Sequence, residues 1–449
     1  MKRRHFAEGA VVAALAQAVA VPAHAQTRPG GAGWVTSWAA SVHGPYPVGN
    51  PSAQPEQRFL FPSPPDGARD QTLRLVLRPS VWGRRARLRF SNAFGTAPLV
   101  LDGVHAGLQL GSATLVAGTN RPVSFAGTGS VTIPPGGQAW SDPVELPFAA
   151  EPASPLLAGR KLAVSFHVAG TSGPMTWHAK ALQTSYGTAP GAGARGAEEG
   201  EDAFPFSTAS WFFLDALDME APAGTPVVLC LGDSITDGTA STMNGDDRWP
   251  DVLARRLNAA VPNRVAVVNA GIGGNQVVGP AEYGPGKPFP GGPSALARLE
   301  RDVISLSGVT TVVWLEGTND FSRNGNASLE AVRDGMVEGV KRIRAGVPGV
   351  RVVGATVTSA LGSSSAAHGH QGQDENRKAL NTFIRDGGLF DAVVDFDRAT
   401  LDPGSGGLRP EMIPESTTGG PGDKLHPNRA GYLAMGSSID PAAVLPVRR

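Results

Sequence analysis

The sequence predicts two successive folds, an all-β front half and a second half in which strands alternate with helices around a parallel sheet. Up to about residue 220, apolar and polar residues alternate with a period of two, which is typical of strands that rest one face on a core. After a linker at 221–226, short apolar runs alternate with segments whose apolar residues recur every three or four positions. That second pattern indicates helices packed on a sheet.

The composition excludes several classes of protein. The 449 residues include 39 basic and 39 acidic ones. This balance argues against a nucleic-acid partner, because proteins that bind nucleic acids usually have a strongly basic face. No apolar run reaches the roughly 18 residues that a membrane span needs, so we predict no stable membrane insertion. The single cysteine, Cys230, permits neither an internal disulfide nor a cysteine zinc cluster. The composition leaves the oligomeric state open.

Residues 1–25 have the pattern of an export signal. A basic start at Lys2–Arg4 precedes an apolar run at Ala10–Ala20, and Ala23 and Ala25 form a small-residue cleavage site. We therefore predict a secreted or periplasmic protein, and the adjacent arginines at the start fit the twin-arginine export route.

Residues 26–220 are predicted to form a β-sandwich or jelly roll. The three clearest strands are separated by turn clusters rich in glycine and proline, as short strands of such folds are. Their polar faces, which include three arginines in the second strand, are expected to face water. Residues 187–205 lack periodicity and are predicted to be a surface loop. The three strands are Thr72–Arg78, Arg85–Phe90 and Leu162–Val168.

Residues 221–449 are predicted to form a parallel sheet covered by helices on both faces. In such sheets the chemistry takes place at the carboxyl ends of the strands. The predicted strands are Val227–Leu231, Val265–Val268, Thr310–Leu315, Val350–Val357 and Ala392–Phe396, and the predicted helices lie around Trp249–Leu257, Leu329–Ile343 and Ala379–Ile384.

Polar residues that can carry acyl transfer follow three of these strands, and a fourth group lies near the C-terminus. Each has another explanation by itself: Ser234 can cap a helix, Gly274 can permit a turn, Asn319 can form an Asx turn, and Asp423 with His426 can be a surface or metal-binding pair. Together they supply a nucleophile, oxyanion donors, and a base with the carboxylate that orients it. Their joint occurrence, in this order, favours catalysis.

Residues 227–440 resemble the SGNH/GDSL hydrolase superfamily in four motifs, which are Gly-Asp-Ser at 232–234, Asn-Ala-Gly-Ile-Gly-Gly-Asn at 269–275, Gly-Thr-Asn-Asp at 317–320 and Asp-Lys-Leu-His-Pro-Asn at 423–428. The resemblance implies a flavodoxin-like three-layer α/β/α fold and ester hydrolysis without a cofactor or a metal. It also implies site residues: Ser234, Asp423 and His426 are the catalytic triad, and Ser234, Gly274 and Asn319 form the oxyanion hole.

The front half resembles the front domain of a bacterial subgroup of this superfamily, in Trp34–Ala40, Ser91–Gly95 and Gln183–Tyr186. That subgroup is similar to xylan-associated acetyl esterases. The resemblance implies a short acyl group, acetyl, on a carbohydrate. Within the last catalytic motif, Lys424 stands where a glycine is more common in the family.

Other functions are weighed against this one. Among enzymes, a lipase or arylesterase acting on longer or aromatic acyl esters stays open. An α/β-hydrolase is excluded because no serine has glycine at both −2 and +2, and nothing in the sequence selects the carboxylate pair of a glycosidase. In a different class, a non-catalytic carbohydrate-binding protein could use exposed tryptophans as platforms, although a place in the core is favoured for them. These tryptophans are Trp34, Trp38, Trp82 and Trp177.

Three features near the expected site remain open in the sequence. His368 and His370 lie in a loop at 361–373 that can border a substrate pocket, although a solvated loop is favoured. His178 can approach the site from the front half. The Gly- and Pro-rich loop 276–294 is a candidate lid.

Overall fold

The computed structural model of the chain describes residues 33–445, and the predicted export signal at 1–25 lies outside them. Between residues 33 and 445, no helix combines the length and the apolar character that crossing a membrane requires.

Fifteen antiparallel strands form the front half. They are β1 Gly33–Ala39, β2 Arg69–Leu77, β3 Arg85–Ser91, β4 Leu99–Gly111, β5 Thr114–Leu115, β6 Arg121–Pro122, β7 Ser130–Ile133, β8 Gln138–Trp140, β9 Val144–Glu145, β10 Leu162–Thr171, β11 Trp177–His178, β12 Ser185–Gly187, β13 Phe206–Thr208, β14 Trp211–Phe212 and β15 Leu214–Ala221. One sheet has the order β1-β15-β3-β8, and a second has the order β13-β12-β2-β10-β4-β5.

The two sheets pack face to face around one apolar core. Phe90 of β3 meets Phe166 of β10 with ring centroids 5.2 Å apart, so the core joins a strand of each sheet. Alternate residues of each strand, such as Leu73 and Leu75 in β2, belong to this core. The predicted sandwich and its three clearest strands are confirmed, because a period of two identifies the residues that share the inner face.

The outer face of the first sheet does not lie in water, and this part of the prediction was wrong. Arg89 is 1% exposed and pairs with Asp215 at 2.7 Å, while its guanidinium also donates to Ser305 Oγ at 2.9 Å. Arg87 pairs with Asp218 in the same way and reaches Ser307. The second half of the chain covers this face, and the charges are paired because burial of an unpaired charge is costly.

A buried arginine also holds the loop 187–205. Arg74, on the outer face of β2, donates to the carbonyl oxygens of Gly200 and Glu198, and its guanidinium lies 3.9 Å from the ring centroid of Phe204. Burial lowers the pKa of Arg74 to about 10. The loop lies on the surface, as predicted, and Arg74 holds it along the second sheet.

The tryptophans of the front half are core residues. Trp38, Trp82 and Trp177 are all less than 9% exposed. Trp34 is half-buried, and the guanidinium of Arg87 lies 4.9 Å from its ring centroid. The three buried rings offer no free face on which a sugar could stack.

The second half contains five parallel strands in the order β17-β16-β18-β19-β20. They are β16 Val227–Gly232, β17 Ala266–Gly271, β18 Val309–Leu315, β19 Arg351–Ala355 and β20 Ala392–Val394. Numbered within this sheet, the order is 2-1-3-4-5, which is the flavodoxin-like order. The fifth strand ends before its predicted limit because Phe396 begins the next helix.

Helices cover both faces of this sheet, which makes three layers. They are α1 Ser234–Asp237, α2 Trp249–Ala260, α3 Ala295–Leu299 with a π-helical turn at Glu300–Ile304, α4 Leu329–Gly346, α5 Gln371–Asp386, α6 Phe396–Thr400, α7 Arg429–Ser438 and α8 Pro441–Val444. Strand β16 is buried on both faces: Leu229 packs toward the side of α3, α4 and α5, and Cys230 toward that of α2, α6 and α7. The predicted α/β/α fold is confirmed.

The apolar core on the side of α3, α4 and α5 is shared with the front half. Val35 and Ala39 of β1 belong to the same apolar cluster as Leu229 and Val268 of the parallel sheet. The two halves are therefore joined by apolar packing as well as by the arginine pairs of the outer face.

Candidate active site

The first strand of the parallel sheet delivers a serine to its carboxyl end. Strand β16 ends at Gly232, and Ser234 is the first residue of α1. The cap of that helix is Asp233, whose carboxylate accepts the N–H of Ile235 at 2.9 Å. The capping role considered for Ser234 thus belongs to its neighbour, and the Ser234 hydroxyl is free to turn to another partner.

That partner is the histidine of the C-terminal motif. Ser234 Oγ lies 2.8 Å from His426 Nε2, and His426 Nδ1 lies 2.6 Å from Asp423 Oδ2. Ser234 is 5% exposed, whereas the side chains of His426 and Asp423 are 13% and 37% exposed, so the serine end of the chain of hydrogen bonds is the most shielded from solvent. The structure brings together the three side chains that the sequence predicted as a triad, with the geometry that general-base activation of a hydroxyl requires.

The carboxylate of Asp423 is fixed by its own loop. Its Oδ1 accepts the N–H groups of Leu425 and His426, each at 2.9 Å. Burial alone would raise the pKa of Asp423, but the hydrogen bond and charge of His426, with these two N–H groups, hold it well below its ordinary value. The left-handed φ of 60° at Lys424 explains why a glycine suits this position. Asp423 is therefore ionised at neutral pH.

The second strand end supplies a backbone donor. Gly274 has a φ of 86°, which favours glycine, and a Cβ there would lie 2.7 Å from Asn50 Nδ2 and would displace that amide. Of the residues that the structure describes, none accepts a hydrogen bond from the N–H of Gly274. The N–H of Ser234 lies in the first turn of α1, where backbone donors have no partner within the helix.

The third strand end carries the amide predicted as an oxyanion donor. Asn319 Nδ2 donates one hydrogen to the carbonyl of Asn275 at 2.9 Å, and its second hydrogen is left for another acceptor. The next residue, Asp320, accepts the N–H groups of Val277 and Val278. Burial raises the pKa of Asp320 to about 6. Asn319 and Asp320 thus tie the second and third strand ends together.

A buried arginine that the sequence did not single out holds the first and second strand ends. Arg298 of α3 donates to the carbonyl oxygens of Gly232 at 2.9 Å and Ala270 at 2.7 Å, and to Asn275 Oδ1 at 2.8 Å. It is 1% exposed and also pairs with Asp302 at 3.2 Å. One side chain thereby fixes the two loops from which Ser234 and Gly274 extend. No local motif marks it.

Side chains of the front half reach the site, among them His178 and Asn50. His178, which the sequence left open, lies in β11 with Nε2 3.0 Å from Asp237 Oδ1, and the other oxygen of Asp237 accepts the N–H of Gly273 at 2.9 Å. Burial lowers the pKa of His178, but the charge and hydrogen bond of Asp237 outweigh burial, so its pKa lies above the ordinary value. Asn50 Nδ2 donates to the carbonyl of Gly273 at 2.7 Å.

The candidate lid and the histidine loop are both anchored. In the loop 276–294, the Tyr283 hydroxyl donates to the carbonyl of Gly44 in the front half at 2.7 Å. In the loop 361–373, His368 is half-buried and accepts from Gln373 at 2.9 Å. Burial, and then the charge of His426, lower the pKa of His368 to about 4. The loop also borders the triad, since Ser363 Oγ donates to the carbonyl of Asp423 at 2.8 Å, while most of its residues remain partly or fully exposed.

Comparison with known proteins identifies the second half. Residues 230–434 match the GDSL-like lipase/acylhydrolase family. No curated protein matches the chain. Solved structures similar to it include a carbohydrate acetylesterase from Sinorhizobium meliloti (18% identity, 47% of this chain and 94% of that chain, TM-score 0.35). Others are an aryl esterase from M. smegmatis (19%, 47% and 95%, 0.35) and a GDSL-like lipase from Bacteroides thetaiotaomicron (20%, 50% and 89%, 0.36).

Proposed function

We propose that this chain transfers the acyl group of an ester first to Ser234 and then to water. Its residues 230–434 match the GDSL-like lipase/acylhydrolase family, so the chain is a carboxylic ester hydrolase. The observation that carries the proposal is the continuous chain of hydrogen bonds from Ser234 Oγ to His426 Nε2 at 2.8 Å and from His426 Nδ1 to Asp423 at 2.6 Å. It provides a nucleophile, a general base and the carboxylate that orients the base.

The reaction proceeds in two halves. His426 accepts the proton of Ser234 as Oγ attacks the ester carbonyl, and Asp423 holds the imidazole in the required tautomer and stabilises the imidazolium. His426 then gives the proton to the departing alcohol, which leaves an acyl-enzyme on Ser234. Water, deprotonated by the same imidazole, attacks the acyl-enzyme, and the acid departs as Ser234 recovers its proton.

The negative charge that develops on the carbonyl oxygen needs donors that are already in place. We assign this role to the N–H groups of Ser234 and Gly274 and to the side-chain amide of Asn319. The first two point from a helix start and from a glycine turn without an acceptor among residues 33–445. Such prearranged donors avoid the cost of reorganising solvent during the reaction.

Asn319→Ala is expected to lower kcat by about 10²–10³-fold and to leave KM within about threefold, since the lost hydrogen bond strengthens mainly in the transition state. Steady-state kinetics with p-nitrophenyl acetate measures both constants. Asn258→Ala is the matched control, because Asn258 makes its hydrogen bonds around the end of α2, away from the triad. A kcat for Asn319→Ala within threefold of wild type would remove this residue from the oxyanion hole.

The favoured substrate is a short acyl group, acetyl, on a carbohydrate. One observation supports it: the front half resembles that of the acetyl-esterase subgroup. A secreted or periplasmic enzyme, as residues 1–25 predict, would meet such a polymer.

A panel of p-nitrophenyl esters of increasing chain length, with acetate release from acetylated xylan measured in parallel, tests the substrate. We expect kcat/KM to be highest for acetate or propionate and to fall steeply beyond four carbons, with acetate released from the polymer. A maximum at eight or more carbons, or for aromatic acyl groups, without acetate release would favour the lipase or arylesterase alternative. A fluorophosphonate probe that labels Ser234 would separate either enzyme from a non-catalytic carbohydrate-binding protein.

A further inference from the structure

The front half fixes the orientation of one peptide group in the oxyanion hole. The carbonyl of Gly273 and the N–H of Gly274 belong to the same planar group, and in a trans peptide they point in opposite directions. Asn50 Nδ2 donates to that carbonyl at 2.7 Å. The N–H of Gly274 on the other side has no acceptor among the described residues. The position of Asn50 therefore determines where this N–H points.

From this geometry we propose that Asn50 is a positioning residue, which holds the Gly273–Gly274 peptide so that its N–H faces the developing oxyanion. The inference rests on the acyl-transfer mechanism proposed above. It makes the front half a part of the oxyanion hole rather than an appended domain. Asn50 acts through Gly274 and need not touch the substrate.

Both ends of Gly273 are held in the same way. Its N–H donates to Asp237 at 2.9 Å, and Asp237 in turn contacts His178 of the front half at 3.0 Å. Its carbonyl accepts from Asn50. A glycine-rich turn has many conformations available, because glycine lacks a Cβ. Two hydrogen bonds that both lead to the front half restrict these conformations.

Asn50 itself sits in a segment that is packed against the front half. At Gly49, a Cβ would lie 2.8 Å from the ring of Trp177 and 2.9 Å from Ala179, so the backbone lies directly on the core. The indole of Trp177 donates to the carbonyl of Val48 at 3.2 Å, and Lys180 Nζ donates to Ser52 Oγ at 3.0 Å. The amide of Asn50 is thus placed before substrate binds, as electrostatic preorganisation requires.

The hydrogen bond also strengthens the donor. A donor on the carbonyl of a peptide polarises that peptide, so its N–H becomes a better donor to an anion. The hydrogen bond from Asn50 should therefore contribute most in the transition state, when the carbonyl oxygen of the substrate carries negative charge. Its loss should therefore affect kcat more than KM.

The test compares Asn50→Ala with Gln54→Ala in the full-length enzyme. Gln54 lies in the same segment, but its amide bonds to Ser210 and Ala209 inside the front half. We expect Asn50→Ala to lower kcat for p-nitrophenyl acetate about 10- to 100-fold with KM within twofold, which is less than the effect of deleting an oxyanion donor itself. Gln54→Ala should keep the wild-type kcat.

A second measurement separates positioning from a merely structural role. A trifluoromethyl ketone forms a tetrahedral adduct on the serine, and its oxygen occupies the oxyanion hole. Its inhibition constant should rise in Asn50→Ala by the same factor as kcat falls, with the melting temperature within 2 °C of wild type. Asn50→Asp, which cannot donate to the carbonyl, should lower kcat at least as far.

Two results would overturn the inference. One is a wild-type kcat and inhibition constant in Asn50→Ala. The other is an equal loss of kcat in Asn50→Ala and Gln54→Ala accompanied by lower melting temperatures, which would assign Asn50 to domain packing. The proposed function fails separately, if the wild-type enzyme neither hydrolyses the ester nor is labelled at Ser234 by a fluorophosphonate.

Discussion

Ser234→Ala is expected to lower kcat for p-nitrophenyl acetate by about 10⁴- to 10⁶-fold, the largest effect of any single change in this chain. Without Oγ no acyl-enzyme can form, and His426 has no proton to accept. The remaining rate comes from the oxyanion donors and from substrate binding. Steady-state kinetics on the purified variant, at enzyme concentrations high enough to detect the residual rate, measures the change.

The variant should fold as the wild type does, because Ser234 makes its side-chain hydrogen bond to His426 and the cap of α1 is Asp233. Circular dichroism and the melting temperature check this. Ser438→Ala, which removes a hydroxyl bonded to a carbonyl within α7, is the control and should retain full activity. If Ser234→Ala kept more than a tenth of the wild-type rate, Ser234 would not be the nucleophile.

Arg298→Met should destabilise the fold by about 3–5 kcal/mol, the range measured when one partner of a buried ion pair is removed. The change removes five hydrogen bonds, among them those to Gly232, Ala270 and Asn275, and leaves these acceptors buried. It also removes the positive charge 3.8 Å from Glu316, a fully buried carboxyl. Equilibrium unfolding in urea measures the loss.

The loss in Arg298→Met should be smaller at pH 5.5 than at pH 8. Burial raises the pKa of Glu316 to about 7 in the folded protein, so at the lower pH this carboxyl is protonated and needs no guanidinium. Above that pKa the folded variant must hold the charge of Glu316 without a guanidinium beside it. The variant therefore loses further stability relative to the wild type. Arg344→Met is the control, since Arg344 pairs with Asp391 near the surface and should contribute less than about 1 kcal/mol. A loss below 1 kcal/mol for Arg298→Met at both pH values would contradict this view.

The sequence located three strands of the front half, the strands of the parallel sheet and the four catalytic motifs, because all of these depend on local patterns. Period-two alternation marked β2, β3 and β10, and apolar runs marked the strands of the parallel sheet. The polar residues of the site follow those runs directly, so the topology of a parallel sheet was enough to predict that Ser234, Gly274 and Asn319 meet at one edge. His426 and Asp423 were recognised by their spacing within one turn.

The contacts that hold these residues in place could not be found in the same way. Asn50 meets Gly273 across 223 positions of the chain, and neither lies in a pattern that refers to the other. Arg298 is one arginine among several on helical segments. Alternation showed correctly that Arg89 points away from the sandwich core, but not that another part of the chain covers it. Periodicity identifies the face opposite a core and says nothing about what packs on that face.

The burial of Arg89 against Asp215 and Ser305, beside the apolar packing of Val35 on the parallel sheet, has a consequence for protein engineering. The two halves cannot be exchanged freely between homologues, because a chimera would have to preserve both the buried ion pairs and the apolar interface between the halves. Relative motion of the two halves would break the hydrogen bond from Arg89 to Ser305 and expose the ion pair and this apolar surface, so the contacts favour a fixed arrangement.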